Sequence, residues 1–122
     1  MKTTVRLLDF VGCLSQAMDR ISPVMAGHHQ RVAYIAAQTA GVLDVGTAEM
    51  REAVLSGLLH DVGALSLRAR LDERQLGETD LHDHDLIGSR LLRTVPGLEG
   101  VAEIVRFHHR PWHAAGRRRR AD

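Results

Sequence analysis

The chain reads as all-α on three observations. Apolar residues recur at a spacing of roughly 3.6 through most of its length. No alternating run is long enough to form a strand. Ser, Thr, Pro and Gly fall between the apolar stripes, where helices would start and stop. At 122 residues the chain can bury one real core but has little room for a second domain. It shows no internal repeat.

The first helical stripe combines Val5, Leu8, Val11, Gly12, Ser15, Met18 and Ile21 with Leu7, Leu14 and Ala17. Ser22-Pro23 then reads as an N-cap followed by a first-turn proline. A second helix follows through His28, Arg31, Val32, Ile35, Ala36, Thr39 and Ala40, ending between Gly41 and Gly46. Thr47 is the expected cap of a third helix, which carries Met50, Val54, Leu55, Leu58 and Leu59 into His60 and ends at Gly63. Ser66 would cap a short fourth helix over 67–76, closed by Gly77. A fifth runs from about Asp83 to Pro96-Gly97, and a sixth from Leu98 to His109, stopping before Pro111.

Composition excludes several classes. Cys13 stands alone, which rules out an internal disulfide and a cysteine zinc site and agrees with a reducing cytosol. No run of about 18 apolar residues is present, so no membrane span is expected, and the first residues lack the pattern of a signal peptide; the expectation is a cytoplasmic protein. Net charge is +1, yet residues 110–122 hold five arginines against Asp122, leaving the body mildly acidic. Arg117 to Arg120 could meet phosphates or an anionic surface, but no aromatic platform accompanies them. The expected partners therefore include neither specific nucleic acid nor membrane, and the tail reads as solvated and disordered.

The chemistry lies in the histidines. His60-Asp61 delivers an imidazole and a carboxylate side by side at a helix end, the ligand types of Zn, Fe, Mn or Ni. His28 stands near the start of the second helix, His84 opens the fifth, and His108 and His109 close the sixth. Adjacent helical residues point about 100° apart, so the doublet suits two ions better than one. Any one of these could equally be a cap or dipole partner, as His82 and His113 are read to be. Their gathering at the termini of four helices points to a metal-dependent hydrolase. Gly88, four residues after His84, would let another helix approach closely.

Four segments in order carry a resemblance. Gly27-His28-His29-Gln30-Arg31-Val32-Ala33, Leu58-Leu59-His60-Asp61-Val62-Gly63, His84-Asp85-Leu86-Ile87-Gly88 and Ile104-Val105-Arg106-Phe107-His108-His109 resemble the HD superfamily of metal-dependent phosphohydrolases, most closely its HD-GYP branch, which cleaves cyclic di-GMP. The likeness implies an HD-type bundle of about five to six helices over residues 1–112, with 113–122 as the basic tail. It implies one metal on His28, His60 and Asp61, a second on His84, His108 and His109, and Asp61 as the bridge between them. His60 and Asp61 would be the catalytic pair, and Asp19 sits where some members have a Glu that helps bind a third metal. One to two divalent ions per chain, Fe or Mn, would supply the hydroxide and neutralise the phosphate, as two-metal sites do. The substrate would be a phosphate ester, a nucleotide or a cyclic dinucleotide.

The chain departs from that pattern at three places. Ala64 stands where the active branch usually has Lys, the Gly-Tyr-Pro signature does not follow the doublet, and for the Asp ligand that the family draws from beyond the doublet only Asp122 lies downstream, a poor substitute two residues past four arginines. A catalytically degenerate HD signalling or regulatory module that binds metal or nucleotide is therefore a second reading, and a purely structural helical module a third. Apolar surface left uncovered beyond the sixth helix would favour a homodimer.

Overall fold

The computed structural model describes residues 4–21, 26–65 and 83–111. Within them lie five helices and no strand: α1 (Leu7–Ile21), α2 (His28–Val42), α3 (Thr47–Leu59), α4 (His84–Leu92) and α5 (Glu99–Phe107). The all-α expectation holds. The expected Ser22-Pro23 start, the 67–76 helix, His82, His113 and the tail lie outside the described residues.

Two helix pairs, α2 with α3 and α4 with α5, pack side by side, and α1 lies across the first pair. The core joins Val11 and Met18 of α1 to Ala33 of α2, Leu55, Leu58 and Leu59 of α3, Leu92 of α4 and Val101, Ala102 and Val105 of α5. Each fully buried Leu or Val contributes about 1.5–3 kcal/mol. Along α1 the buried stripe is Val11, Ser15 and Met18 with Leu7 and Leu14 packed against it, while Val5 and Leu8 of the expected stripe face solvent. Among the described residues no helix is long and apolar enough to cross a membrane.

The second helix presents a different face from the one its large residues imply. Ile35 and Tyr34 are exposed, and the buried stripe is His29, Ala33 and Ala40. Small side chains win because α2 and α3 come together almost backbone to backbone: a Cβ on Gly57 would lie 2.6 Å from Ala33 Cα. The described helix begins after Gly27, whose φ of +65° favours glycine.

Boundaries differ from expectation at α3. Gly46, not Thr47, occupies the cap, and Thr47 is the first helical residue. The helix ends at Leu59, turns through His60 and Asp61, and resumes over 62–65, so Gly63 is not its stop. Gly63 is there for contact: a Cβ would meet the His84 carbonyl oxygen at 2.0 Å and the Gly88 nitrogen at 2.5 Å. Gly88 in turn touches Gly63, Val62 and Val105, which is the close approach its lack of a side chain implied.

Gly63→Ala must push the α4 backbone away, because both obstructing atoms belong to backbone. It is expected to cost about 1–3 kcal/mol of stability. Gly12→Ala, where nothing lies within 4 Å, is expected instead to stabilise α1 by about 0.5–1 kcal/mol. Thermal unfolding of the two variants checks the pair; a Gly63→Ala protein as stable as wild type would refute this packing.

Candidate metal centre

The glycine contacts place the ends of four helices at one spot. His28 and His29 open α2, His60 caps the C-terminus of α3 with Asp61 just after it, His84 opens α4, and His108 and His109 follow α5. The six residues read from sequence come together in two groups. The ligand atoms of His28, His60 and Asp61 lie within 4.8 Å of one another, as do those of Asp61, His84, His108 and His109.

Asp61 belongs to both groups, and its two oxygens divide between them. Oδ2 faces Nε2 of His60 at 3.1 Å and of His28 at 3.6 Å. Oδ1 faces Nε2 of His84 at 3.3 Å and of His108 at 3.9 Å. The imidazoles also crowd one another: Nε2 to Nε2 is 3.1 Å for His28 and His60, 2.9 Å for His84 and His109, and 3.4 Å for His84 and His108. Two nitrogens bound about 2.0–2.1 Å from one ion, at about 90–109°, stand roughly 2.9–3.4 Å apart. The donor set therefore fits a divalent ion in spacing as well as chemistry.

Backbone carbonyls set the rings. His60 Nδ1–H donates to the Gly57 carbonyl at 2.9 Å, and His108 Nδ1–H to that of Val105 at 2.7 Å. A neutral imidazole carries one N–H, so in its neutral form each ring presents a bare Nε2 inward. Asp85, next to His84, lies outside the cluster; its Oδ2 accepts from Arg106 Nη1 at 3.2 Å and ties α4 to α5. Asp19 does not point into either group. Its carboxylate takes the Nδ1–H of His29 in a very short contact.

His29 is the residue that sequence reasoning passed over. It is 2% exposed, and its Nε2 lies 3.8 Å from Asp61 Oδ2. The signal was present: Ala33, Ala37 and Ala40 continue a small-residue stripe from position 29 at helical spacing. The larger Val32 and Ile35 masked it.

Crowding sets the electrostatics. Burial opposes ionisation of Asp61, yet the hydrogen bond and charge of His60, then the charges of His84 and His29, hold its carboxyl well below the usual carboxylate range. Burial also opposes a charge on His60, but the Asp61 carboxylate and the Gly57 carbonyl outweigh it and raise its pKa above 6.5. Burial lowers the other three, joined by His60 for His28 and by His84 for His109. For His108, burial and the charges of His109 and His60 overcome the pull of the Val105 carbonyl.

Residues 25–122 match the family described as the HD domain. The chain is 29% identical over 103 residues to the 3'3'-cGAMP-specific phosphodiesterase 1 of Vibrio cholerae, an alignment that takes in 82% of this chain and 23% of that protein. The chain thus spans about a quarter of the length of the curated relative it matches. No solved structure matches.

A metal that takes His60 Nε2 must displace the proton this ring holds for Asp61. Because that pKa is raised, affinity is expected to start falling above pH 6.5 on acidification, before the lowered histidines protonate. One displaced proton gives a loss of about tenfold per pH unit. Calorimetric titration with Mn²⁺ from about pH 8 to about pH 5.5 measures it, and a flat profile would exclude His60 as a ligand.

Proposed function

Because the chain belongs to the HD domain family, we propose that it is a metal-dependent phosphohydrolase module acting on phosphodiesters of nucleotides, cyclic dinucleotides among them. The observation that carries the reading is Asp61: one carboxylate shared between two histidine groups, each with the donor types and spacing of a divalent-ion site. The relative from Vibrio cholerae supports the substrate class by its name. In this reading His28 and His60 hold one ion, His84, His108 and His109 a second, and Asp61 bridges them. Fe or Mn suits this mixed nitrogen and oxygen set. The module spans residues 1–112, and 113–122 form a separate basic tail.

When bound, two such ions supply a hydroxide nucleophile near neutral pH and offset charge on the phosphoryl oxygens. The chain's own part is positional. The Gly57 and Val105 carbonyls fix two rings so that their lone pairs face inward. Asp61 holds both groups in one frame and, being ionised far below neutral pH, keeps its negative charge throughout the working range. The Asp61 carboxylate and the Gly57 carbonyl raise the pKa of His60 and so favour a proton on this ring beside Asp61.

A second reading rests on position 64. Ala64 N–H donates to the Asp61 carbonyl at 2.9 Å, within the turn that carries the bridging residue, and the family resemblance implies a Lys at this position in the active branch. A module without that charge would bind metal or nucleotide and turn over slowly, as a signalling domain can.

The test is hydrolysis of 3'3'-cGAMP, cyclic di-GMP and a simple phosphodiester with Mn²⁺ or Fe²⁺, read by chromatography of products. Asp61→Ala is expected to lose the metals and reduce turnover by on the order of a thousandfold, about 4 kcal/mol. Ala64→Lys is expected to raise kcat/KM by about tenfold or more, about 1.4 kcal/mol. Full metal content in Asp61→Ala would sink the site; bound metal with no turnover, even in Ala64→Lys, would favour the signalling module.

A further inference from the structure

We propose that His29 is a further protein ligand on the Oδ2 side of Asp61, completing a His28, His29, His60 and Asp61 set, with Asp19 as its positioning partner. The inference rests on the metal-site reading above and extends it to two residues that the reading does not use.

Four observations point the same way. His29 is 2% exposed, and its Nε2 has no hydrogen-bond partner although it is buried among polar groups. A nitrogen left bare in a protein interior forfeits the hydrogen bond it makes in water, a cost that a ligand at that nitrogen would offset. Its other nitrogen is spoken for: Nδ1–H donates to Asp19 Oδ1, and the backbone N–H of His29 faces the same oxygen at 3.5 Å. A carboxylate behind an imidazole fixes the tautomer with the lone pair on Nε2 and raises its basicity, the arrangement found behind most metal-bound histidines. The bare nitrogen then lies 3.8 Å from Asp61 Oδ2, close to the 3.6 Å of His28 and on the same oxygen. Three imidazole nitrogens thus surround Oδ2, from His28, His29 and His60.

The fold explains how two consecutive residues can both face one point. His28 and His29 diverge along α2, with their ring centroids 5.3 Å apart and the planes at 77°. Each still lies near His60, at 5.1 Å and 5.2 Å between ring centroids, because His60 sits at the end of α3 opposite the gap between them. Asp19, 5% exposed and brought over by α1, closes the far side of His29 and leaves its own Oδ2 without a partner. A metal ion at the other ring nitrogen would supply positive charge opposite this buried carboxylate, on the side where Nε2 faces Asp61.

The experiment loads the metal-free protein with Co²⁺ and compares wild type, His29→Phe and Asp19→Asn by calorimetry, visible absorption and ¹⁵N-histidine NMR. Wild type is expected to bind two ions. His29→Phe, which keeps the ring volume, is expected to lose one ion or bind it at least a hundredfold more weakly. Asp19→Asn keeps a hydrogen-bonding partner and is expected to weaken the same ion by about 10–100-fold. The melting temperature of the metal-free variants shows whether they fold. Should His29→Phe fail to fold, the loaded wild type still decides, because a ligand His29 shows a large paramagnetic shift with its Nδ1–H retained. Two ions bound with unchanged affinity in His29→Phe, or an unshifted His29 in the loaded wild type, would overturn this proposal and leave the metal site standing. A wild type that binds no metal would remove both.

Discussion

Asp61 can address two sets of histidines only because the backbone on either side of it is pressed against two other helices with no side chain between. On one side Gly57 sets α3 against Ala33 of α2; on the other Gly63 sets the turn after Asp61 against His84 and Gly88 of α4. These contacts are closer than any residue with a Cβ permits at those positions. Ridges of larger side chains would hold helices about 8–10 Å apart at their axes, and the imidazoles at the helix ends would then fall short of one another. The glycines are thus part of the site although they bear no functional group.

The same constraint produces an unusual electrostatic load. Six imidazoles and two carboxylates, those of Asp19 and Asp61, share a small volume in which Asp19 and His29 are almost wholly buried. Asp61 stays ionised because histidines surround it, and His60 stays proton-seeking because Asp61 is ionised. His28, His108 and His109 are biased towards neutrality, which is the form that donates to a metal. One proton on His60 balances Asp61, while the Nε2 atoms of His108 and His109 stay crowded against that of His84 at 3.4 and 2.9 Å. A divalent ion offsets both problems at once, which is why packing and charge argue for the same occupant.

Much of this was legible in the chain. The five described helices follow its apolar periodicity, and His28, His60, Asp61, His84, His108 and His109 follow from ligand chemistry at helix ends. What was not legible turned on size and contact. Large residues were weighted in α2, so Val32 and Ile35 seemed to mark its inner face, whereas Ala33 and Ala40 pack there and bring His29 inward. Gly63 read as a terminator because glycine often ends helices; here it is required by a neighbour distant in sequence, which local propensity does not encode. The Asp19–His29 pair spans α1 and α2 and leaves no spacing signature within either helix.

The partition of ligands between the helix pairs gives the site a mechanical meaning. His28, His29, His60 and Asp61 all come from the α2–α3 pair, while His84, His108 and His109 all come from α4–α5. Asp61 faces both groups, through one oxygen on each side, and the His60 ring meets that of His108 across the same junction, 5.4 Å between centroids. The hydrophobic core joins the pairs through Leu55, Leu59, Val101 and Val105. Ions on both sides of Asp61 would add a second, polar link at the helix ends and stabilise the joined state in proportion to their binding. Asp61 is therefore a polar link at the helix ends between two halves that the apolar core already joins.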